Sequence, residues 1–177
     1  MDSRATQSAK ATVADGNTER TPKQKVQRWF NSAAVEGYDG HDSTLPSILT
    51  LESATFEPTT SNPHNSKTVF SFVVPRSLCN ITGSLHGGAV ALIFDICTSL
   101  AIAAVSRKGF WDTGHVSRVL NCTYLRPAKE GQRFWVESEV VHLGKRMGLL
   151  RGVIRGEDGK ICYTCEHNKA AIGKSSL

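Results

Sequence analysis

A single acidic residue stands in the most apolar stretch of this chain. Asp95 is preceded by Ala-Leu-Ile-Phe and followed by Ile-Cys, in a run that predicts one long helix from Leu85 to Ser106. A carboxylate in apolar surroundings is costly unless it is hydrogen-bonded, paired or shifted in pKa. Along the helix the nearest cation, Arg107, is about three turns away. Asp95 is therefore a candidate catalytic carboxylate, and a structural bond to a loop backbone is the alternative.

The predicted start of this helix carries groups that suit a polarised carbonyl. His86, Gly87 and Gly88 stand where the loop becomes the helix. The first N–H groups of a helix lack internal partners and carry the positive end of its dipole. Glycine allows close approach, so the Gly87 N–H can donate to an oxyanion, as acyl transfer requires. The alternatives are a glycine pair that only allows a tight turn, and a His86 that is merely hydrogen-bonded.

The spacing of these residues carries a prediction about assembly. Gly87 and Asp95 are eight residues apart, which is ~12 Å along one helix axis. A donor to a carbonyl oxygen and a base that acts at its carbon must both lie close to one reacting group. One helix cannot supply both, whereas two antiparallel copies related by a two-fold axis can. If both residues are catalytic, the active site is shared between two subunits.

Several motifs combine around these residues. They are Asn80-x-x-Gly83-x-Leu-His86-Gly87-Gly88, Asp95 seven residues after Gly88, His115-Val-Ser117, and Asn121-x-Thr-Tyr124-x-x-Pro127-Ala128. With them the sequence resembles the hotdog-fold acyl-CoA thioesterases of the PaaI type, and most of all the small mammalian-type enzymes of that group. The resemblance covers roughly Ile48 to Ile172.

The resemblance implies a role for each motif residue. Asp95 would be the nucleophile or the general base that activates water, and the Gly87 N–H would polarise the thioester carbonyl. Asn80 and His86 would orient water or the thioester from the same side as Gly87. Ser117 would come from the subunit that supplies Asp95. Asn80 as a turn cap and Ser117 as a strand hydroxyl with a backbone partner are the alternatives.

The resemblance also implies the assembly and the substrate. It implies dimers that share one continuous sheet, often paired into tetramers, with no metal and no prosthetic group. Coenzyme A carries phosphates, and the chain is mildly basic, with a net charge of +5. Lys145 and Arg146 are therefore candidate substrate-binding residues, and the further candidates for the phosphates are Lys129, Arg151 and Arg155. Gly88, at the start of the helix, is also a candidate substrate-binding residue. A solvated basic turn at Lys145 and Arg146 is the alternative.

Some residues depart from the family pattern. Arg118 and Arg126 stand beside matching strand positions at which the mammalian-type proteins tend not to have arginine. The loop Arg107–Gly114 contains Phe110 and Trp111, which would line or crowd an acyl pocket. These departures argue against transferring a substrate preference from the family.

The remaining pattern supplies the elements that must position the candidate residues. Thr21 and Pro22 predict the start of a short amphipathic helix, Lys23–Val35. Strands are predicted at Ile48–Phe56, Lys67–Val74, His115–Leu125, Phe134–Leu143, Met147–Arg155 and Ile161–Ile172. One long apolar helix with strands joined by short turns predicts an α+β class. With the resemblance, the expectation is a hotdog fold: an antiparallel β-sheet wrapped around one long central helix, with an extra N-terminal helix.

Length and composition bound the organisation of the chain. Its 177 residues suit a disordered leader, 1–20, and a single hotdog domain, 21–177. Residues 1–20 lack the apolar core of a signal peptide, and the five cysteines fit a reduced intracellular protein. Cytoplasmic location is expected, with mitochondria as the alternative. Asp95 and the glycines interrupt the apolar run Leu85–Val105, so membrane insertion is not expected.

These observations predict an enzyme that hydrolyses acyl-CoA thioesters with medium-to-long-chain or aryl acyl groups, as a homodimer or homotetramer. A hotdog enzyme that acts on a carrier-protein or secondary-metabolite thioester is one alternative. A non-catalytic acyl-CoA-binding or sensor protein is an alternative of another class. Nucleic acid is not an expected partner, because the basic residues are scattered and no aromatic–basic stripe is present.

Overall fold

The computed structural model describes residues 20–32 and 36–172. Its helices are α1 (Pro22–Ser32), α2 (Leu45–Ile48) and α3 (Gly87–Val105), with a 3-10 turn at Arg76–Leu78. Its strands are β1 (Thr50–Phe56), β2 (Ser66–Val73), β3 (His115–Tyr124), β4 (Arg133–Leu143), β5 (Met147–Gly156) and β6 (Ile161–Ala171). Residues 1–19 of the predicted leader and 33–35 of the predicted first helix lie outside the described residues.

The six strands form one antiparallel sheet in the order β1-β2-β4-β5-β6-β3. The last three strands follow one another through short turns, whereas β3 lies beside β6 at the far edge. The long helix α3 packs on one face of this sheet and contacts every strand. The predicted α+β architecture of a sheet around one long helix is therefore confirmed.

Small residues let α3 approach the sheet closely beneath Phe94. Thr68, Ser138, Gly152 and Cys165 are paired in register across β2, β4, β5 and β6. A Cβ atom at Gly152 would lie 2.7 Å from Cδ1 of Phe94 and 2.8 Å from Sγ of Cys165. The buried Phe94 ring occupies the space that a larger side chain on β5 would need, and this contact fixes the helix over the middle of the sheet.

One stripe of α3 remains uncovered in the single chain. Gly88, Leu92, Asp95 and Ser99 follow one another at helical spacing, and all four are partly or fully exposed. The stripe runs beside the edge strand β3. A helix that is apolar almost all round is expected to be buried on most faces, and this stripe is the exception. By length and composition this helix also resembles a membrane span, yet most of its surface is buried within the described chain.

The N-terminal helix α1 begins where the sequence predicts. The Gln24 N–H donates to Oγ1 of Thr21 at 3.2 Å, and the Thr21 N–H donates to Oε1 of Gln24 at 2.9 Å. This reciprocal pair is a capping box. Phe30 packs edge-on against Phe70 of β2, with the ring centroids 5.3 Å apart, so the helix covers the sheet beside α3.

The loop after α3 packs into the core. Trp111 is 3% exposed, and its Nε1 donates to the Gly144 carbonyl at 2.9 Å. The Phe110 ring stacks on His64, with centroids 4.7 Å apart. Trp111 therefore closes the C-terminal end of α3 as part of a second core cluster.

Candidate active site

Three elements meet at the carboxylate of Asp95. Its Oδ1 accepts a hydrogen bond from Oγ of Ser117 on β3 at 2.7 Å. From β6, Nε2 of His167 lies 3.4 Å away and Nζ of Lys169 lies 3.5 Å away from the same oxygen. The basic groups that the sequence around Asp95 lacks thus come from β6, more than seventy residues later in the chain.

The cluster around Asp95 has one exposed side and one buried side. The Asp95 side chain is 37% exposed in the single chain, whereas the side chains of His167 and Lys169 are 0% and 4% exposed. The carboxylate is thus less buried than the apolar sequence around it predicted, because its helix face is the uncovered one. The basic groups hold it from behind and leave its outer side open to a ligand.

Burial sets the protonation of the basic groups. It lowers the pKa of His167 to about 4, with help from the neighbouring Lys169 and against the attraction of Asp95. Burial likewise lowers the pKa of Lys169, and the contact with Asp95 acts against this shift. The pKa of His115 also falls to about 4, mainly through burial and then through Lys169. Near neutral pH both histidines are uncharged.

The sequence contained an unused signal for the residues on β6. Within the predicted strand Ile161–Ile172, Cys165, His167 and Lys169 share one face by the two-residue period of a strand. All three are buried in the structure. A histidine and a lysine on the core face of a strand require polar partners. Asp95, alone in its apolar helix, was the available partner.

Asn80 organises the loop that precedes α3. Its Oδ1 accepts from the Thr82 N–H at 3.0 Å, the Thr82 hydroxyl at 2.8 Å and the Ser84 N–H at 3.1 Å. Its Nδ2 donates no hydrogen bond to any residue that the structure describes. The carbonyl of this side chain thus caps the turn, as in the structural alternative, while the amide N–H groups stay available to a ligand.

His86 is the N-cap of α3. Its Nδ1 accepts from the Gly88 N–H at 3.0 Å, so in the neutral ring the proton is on Nε2. The ring is exposed, and Nε2 can therefore donate to a molecule outside the chain.

Gly87 presents a free donor at the first position of α3. Its N–H forms no hydrogen bond within residues 20–32 and 36–172, as expected for the first turn of a helix. Its carbonyl accepts from the Tyr124 hydroxyl at 2.9 Å. The three atoms nearest to a Cβ at Gly87 would all belong to the Tyr124 side chain, the closest at an ordinary distance of 3.6 Å. Packing within one chain therefore does not require glycine here.

The predicted phosphate contacts lie at the other end of β3. Lys145 and Arg146 are exposed on the β4–β5 turn, next to Ala171, which pairs with His115 at the start of β3. Gly87 lies beside Tyr124 at the end of β3, about 30 Å away for a strand of this length. Within one chain, Lys145 and Arg146 therefore do not lie near Gly87. The other basic candidates are engaged in the chain: Lys129 with Ser84, Arg151 with Glu166 and Arg155 with Glu137.

The cysteines offer no metal centre in the described residues. All five are free thiols, and no group of three histidine, cysteine or acidic side chains there is placed to hold a metal ion. Cys162 and Cys165 are both buried residues of β6. Their spacing, Cys162-x-x-Cys165, also occurs in metal and redox sites, but here it is accounted for by core packing of a strand.

Comparison with known proteins identifies the class of fold. Residues 82–163 match the family model described as the thioesterase superfamily. The crystal structure of mouse thioesterase superfamily member 2 superposes with a TM-score of 0.70 at 23% identity, over 86% of this chain and 99% of that one. The fold is thus a hotdog fold, as the sequence predicted.

Two curated relatives extend the comparison. The proofreading thioesterase EntH of Klebsiella pneumoniae is 32% identical over 51% of this chain and 64% of its own. Human acyl-coenzyme A thioesterase 13 is 27% identical over 58% of this chain and 71% of its own. For the first relatives matched, the alignments span 62% and 64% of their lengths. The segment that matches the thioesterase superfamily model, 82–163, holds His86, Asp95 and Ser117.

Proposed function

We propose that this protein hydrolyses acyl-CoA thioesters to the free acid and CoA, with Asp95 as the nucleophile or general base. One observation carries the proposal. The Asp95 carboxylate is held from behind by Ser117, His167 and Lys169, yet its outer side is open. A carboxylate fixed in this way can act on a carbonyl or on a water that approaches along the open stripe of α3.

The site is completed by a second subunit. Gly87 and Asp95 stand ~12 Å apart on one helix, too far to act on one carbonyl. The open stripe of α3 lies beside the edge strand β3, where Val116 and Val119 are 50% and 45% exposed. A second chain, docked antiparallel along this edge, would cover the stripe and extend the sheet. It would bring Gly87 of the partner subunit to Asp95.

In this arrangement the other candidate residues acquire distinct roles. Gly87 of the partner subunit would polarise the thioester carbonyl through its free N–H, and Asn80 and His86 of the partner subunit would offer further donors. Ser117 would orient the carboxylate and the attacking water. The antiparallel docking would also carry the Gly87 end of one chain toward the Lys145–Arg146 end of the other. Those exposed cations are suited to the CoA phosphates.

A panel of thioesters tests the proposed activity. We expect release of free thiol from acyl-CoAs, with a rate that depends on the length or the aromatic character of the acyl group. Each acyl group is presented both on CoA and on an acyl carrier protein, because faster turnover on the carrier protein would redirect the proposal to that substrate. Tight acyl-CoA binding without thiol release would support the non-catalytic alternative and refute hydrolysis.

Gly87→Ala separates a role in substrate binding from a role in folding. Alanine keeps the N–H but places a methyl group where the carbonyl approaches, so we expect turnover of acyl-CoA to fall about tenfold or more. Because a Cβ fits within the chain, the free energy of unfolding should be unchanged or up to about 1 kcal/mol higher. Urea unfolding and light scattering check stability and assembly. Unchanged turnover in a normally assembled variant would contradict the assignment.

A further inference from the structure

Behind Asp95, a continuous chain of hydrogen-bonding groups leads back into the core. Ser117 Oγ lies 2.7 Å from Oδ1 of Asp95, and His167 Nε2 lies 3.0 Å from Ser117 Oγ. His167 Nδ1 lies 2.7 Å from Oγ1 of Thr98, which lies 2.6 Å from the Phe94 carbonyl oxygen. This series of groups has four hydrogen-bond links and ends at the Phe94 carbonyl oxygen, which can only accept a hydrogen bond.

Counting protons shows that one link is empty when Asp95 is ionised and His167 is neutral. A hydrogen bond needs one proton per link, so four links need four protons. Thr98, Ser117 and a neutral His167 supply one each. Lys169 adds none to these links, because its Nζ donates to Ser117 Oγ from the side, at 3.2 Å.

A fourth proton can be held in two ways. In the first, Asp95 is a carboxylic acid that donates to Ser117, which then donates to Nε2 of a neutral His167. In the second, His167 is an imidazolium that donates to both hydroxyls, and Ser117 donates to the Asp95 carboxylate. Both forms use the same four contacts. They interconvert by shifts of protons along the links, without movement of the heavy atoms.

We infer that His167 is a proton-relay residue which, through Ser117, stores the proton that Asp95 removes from the attacking water. The inference rests on the proposed thioester hydrolysis with Asp95 as general base. Because His167 and Thr98 are each 0% exposed, the stored proton has no direct path to solvent. The relay acts on the reaction only through Asp95, so His167 is a positioning residue.

The relay step balances. As the water oxygen bonds to the thioester carbon, a water O–H bond breaks and the proton joins Asp95. The Asp95 proton passes to Ser117 while the Ser117 proton passes to Nε2 of His167, which restores the carboxylate. When the carbon–sulfur bond breaks, the reverse shift returns a proton through Asp95 to the departing thiolate. The acid product then releases its remaining acidic proton to solvent.

The surroundings of His167 make the storage temporary. Lys169 on β6 faces the ring and disfavours the imidazolium, as does burial, whereas Asp95 on α3 favours it. His115 at the start of β3 lies near enough to interact with both His167 and Lys169. An imidazolium formed here therefore returns its proton readily once the thiolate can accept it.

A proton inventory tests the relay. Single-turnover hydrolysis of an acyl-CoA is measured in mixtures of H₂O and D₂O, with the wild-type protein and His167→Gln. Because more than one proton moves in the relay, the wild-type rate should curve with deuterium fraction. His167→Gln cannot hold the extra proton, so its dependence should become linear and kcat should fall about tenfold or more at unchanged KM.

The controls keep the outcomes distinct. His142→Gln, at an exposed histidine outside the chain of links, should behave as wild type. If His167→Gln does not fold, Thr98→Val takes its place, because it removes the hydrogen-bond partner of Nδ1 in the imidazolium. The rate of this variant should depend linearly on the deuterium fraction. The relay alone would be overturned if the wild-type protein hydrolyses acyl-CoA with a rate that depends linearly on the deuterium fraction. It would also be overturned if the curvature persists in the variants. Absence of acyl-CoA hydrolysis by wild type would overturn the proposed function and the relay with it.

Discussion

Asp95→Asn is expected to lower kcat for acyl-CoA hydrolysis by about 10²–10⁴-fold, with little change in KM. Asparagine still accepts a hydrogen bond from Ser117, so the position of the side chain is kept. It cannot accept a proton from water or attack a carbonyl, which removes an interaction made only in the transition state. Steady-state kinetics of thiol release measure the effect.

Glu166→Gln provides the matched control for this change. Glu166 is an exposed carboxylate of β6 that pairs with Arg151 on the sheet surface. Its loss should leave kcat within a small factor of wild type. Near-normal turnover by a correctly folded Asp95→Asn protein would remove Asp95 from the mechanism and, with it, the case for a base on α3.

Mixing two inactive variants is expected to restore activity if the site is shared. The variants are Asp95→Asn and Asn80→Asp, in which aspartate keeps the oxygen that accepts from Thr82 and Ser84 but loses the amide donor. After subunit exchange, half of the dimers are mixed, and each has one intact site. Specific activity should reach about a quarter of the wild-type value.

Ser117→Ala gives the control for complementation. Ser117 and Asp95 form their hydrogen bond within one chain, so a mixture of Ser117→Ala with Asp95→Asn has a defect in every site of the mixed dimer. That mixture should recover no activity, although subunit exchange proceeds as before. Recovery in this control, or none with Asn80→Asp in heterodimers verified by mass spectrometry, would refute the shared site.

The elements of the fold were largely predictable because their signals are local. The predicted helix Leu85–Ser106 is observed as Gly87–Val105, and each predicted strand is observed within about two residues of its expected bounds. Helical or alternating apolar spacing and the turn residues between elements depend on neighbouring residues only. The short helix α2 was not predicted, because four residues after a loop give too short a pattern for either period.

The candidate site was predictable only in part. The sequence singled out Asp95 because an ionisable group in an apolar helix stands out locally, and the motif around Gly87 and Ser117 indicated the family. It did not single out His167 or Lys169, which are more than seventy residues from Asp95. Their proximity follows from the sheet order, in which β6 lies beside β3 and beneath α3.

The sequence by itself determined the class of fold, the match of segment 82–163 to the thioesterase superfamily model and the acid at the centre of the candidate site. Only the tertiary structure decided what surrounds that acid. Strand order is set by the packing of the whole sheet against α3, and no local pattern encodes it. The same packing leaves the outer side of Asp95 uncovered and buries His167 and Lys169 behind it. Contacts between distant parts of the chain thus determine which side chains surround the carboxylate.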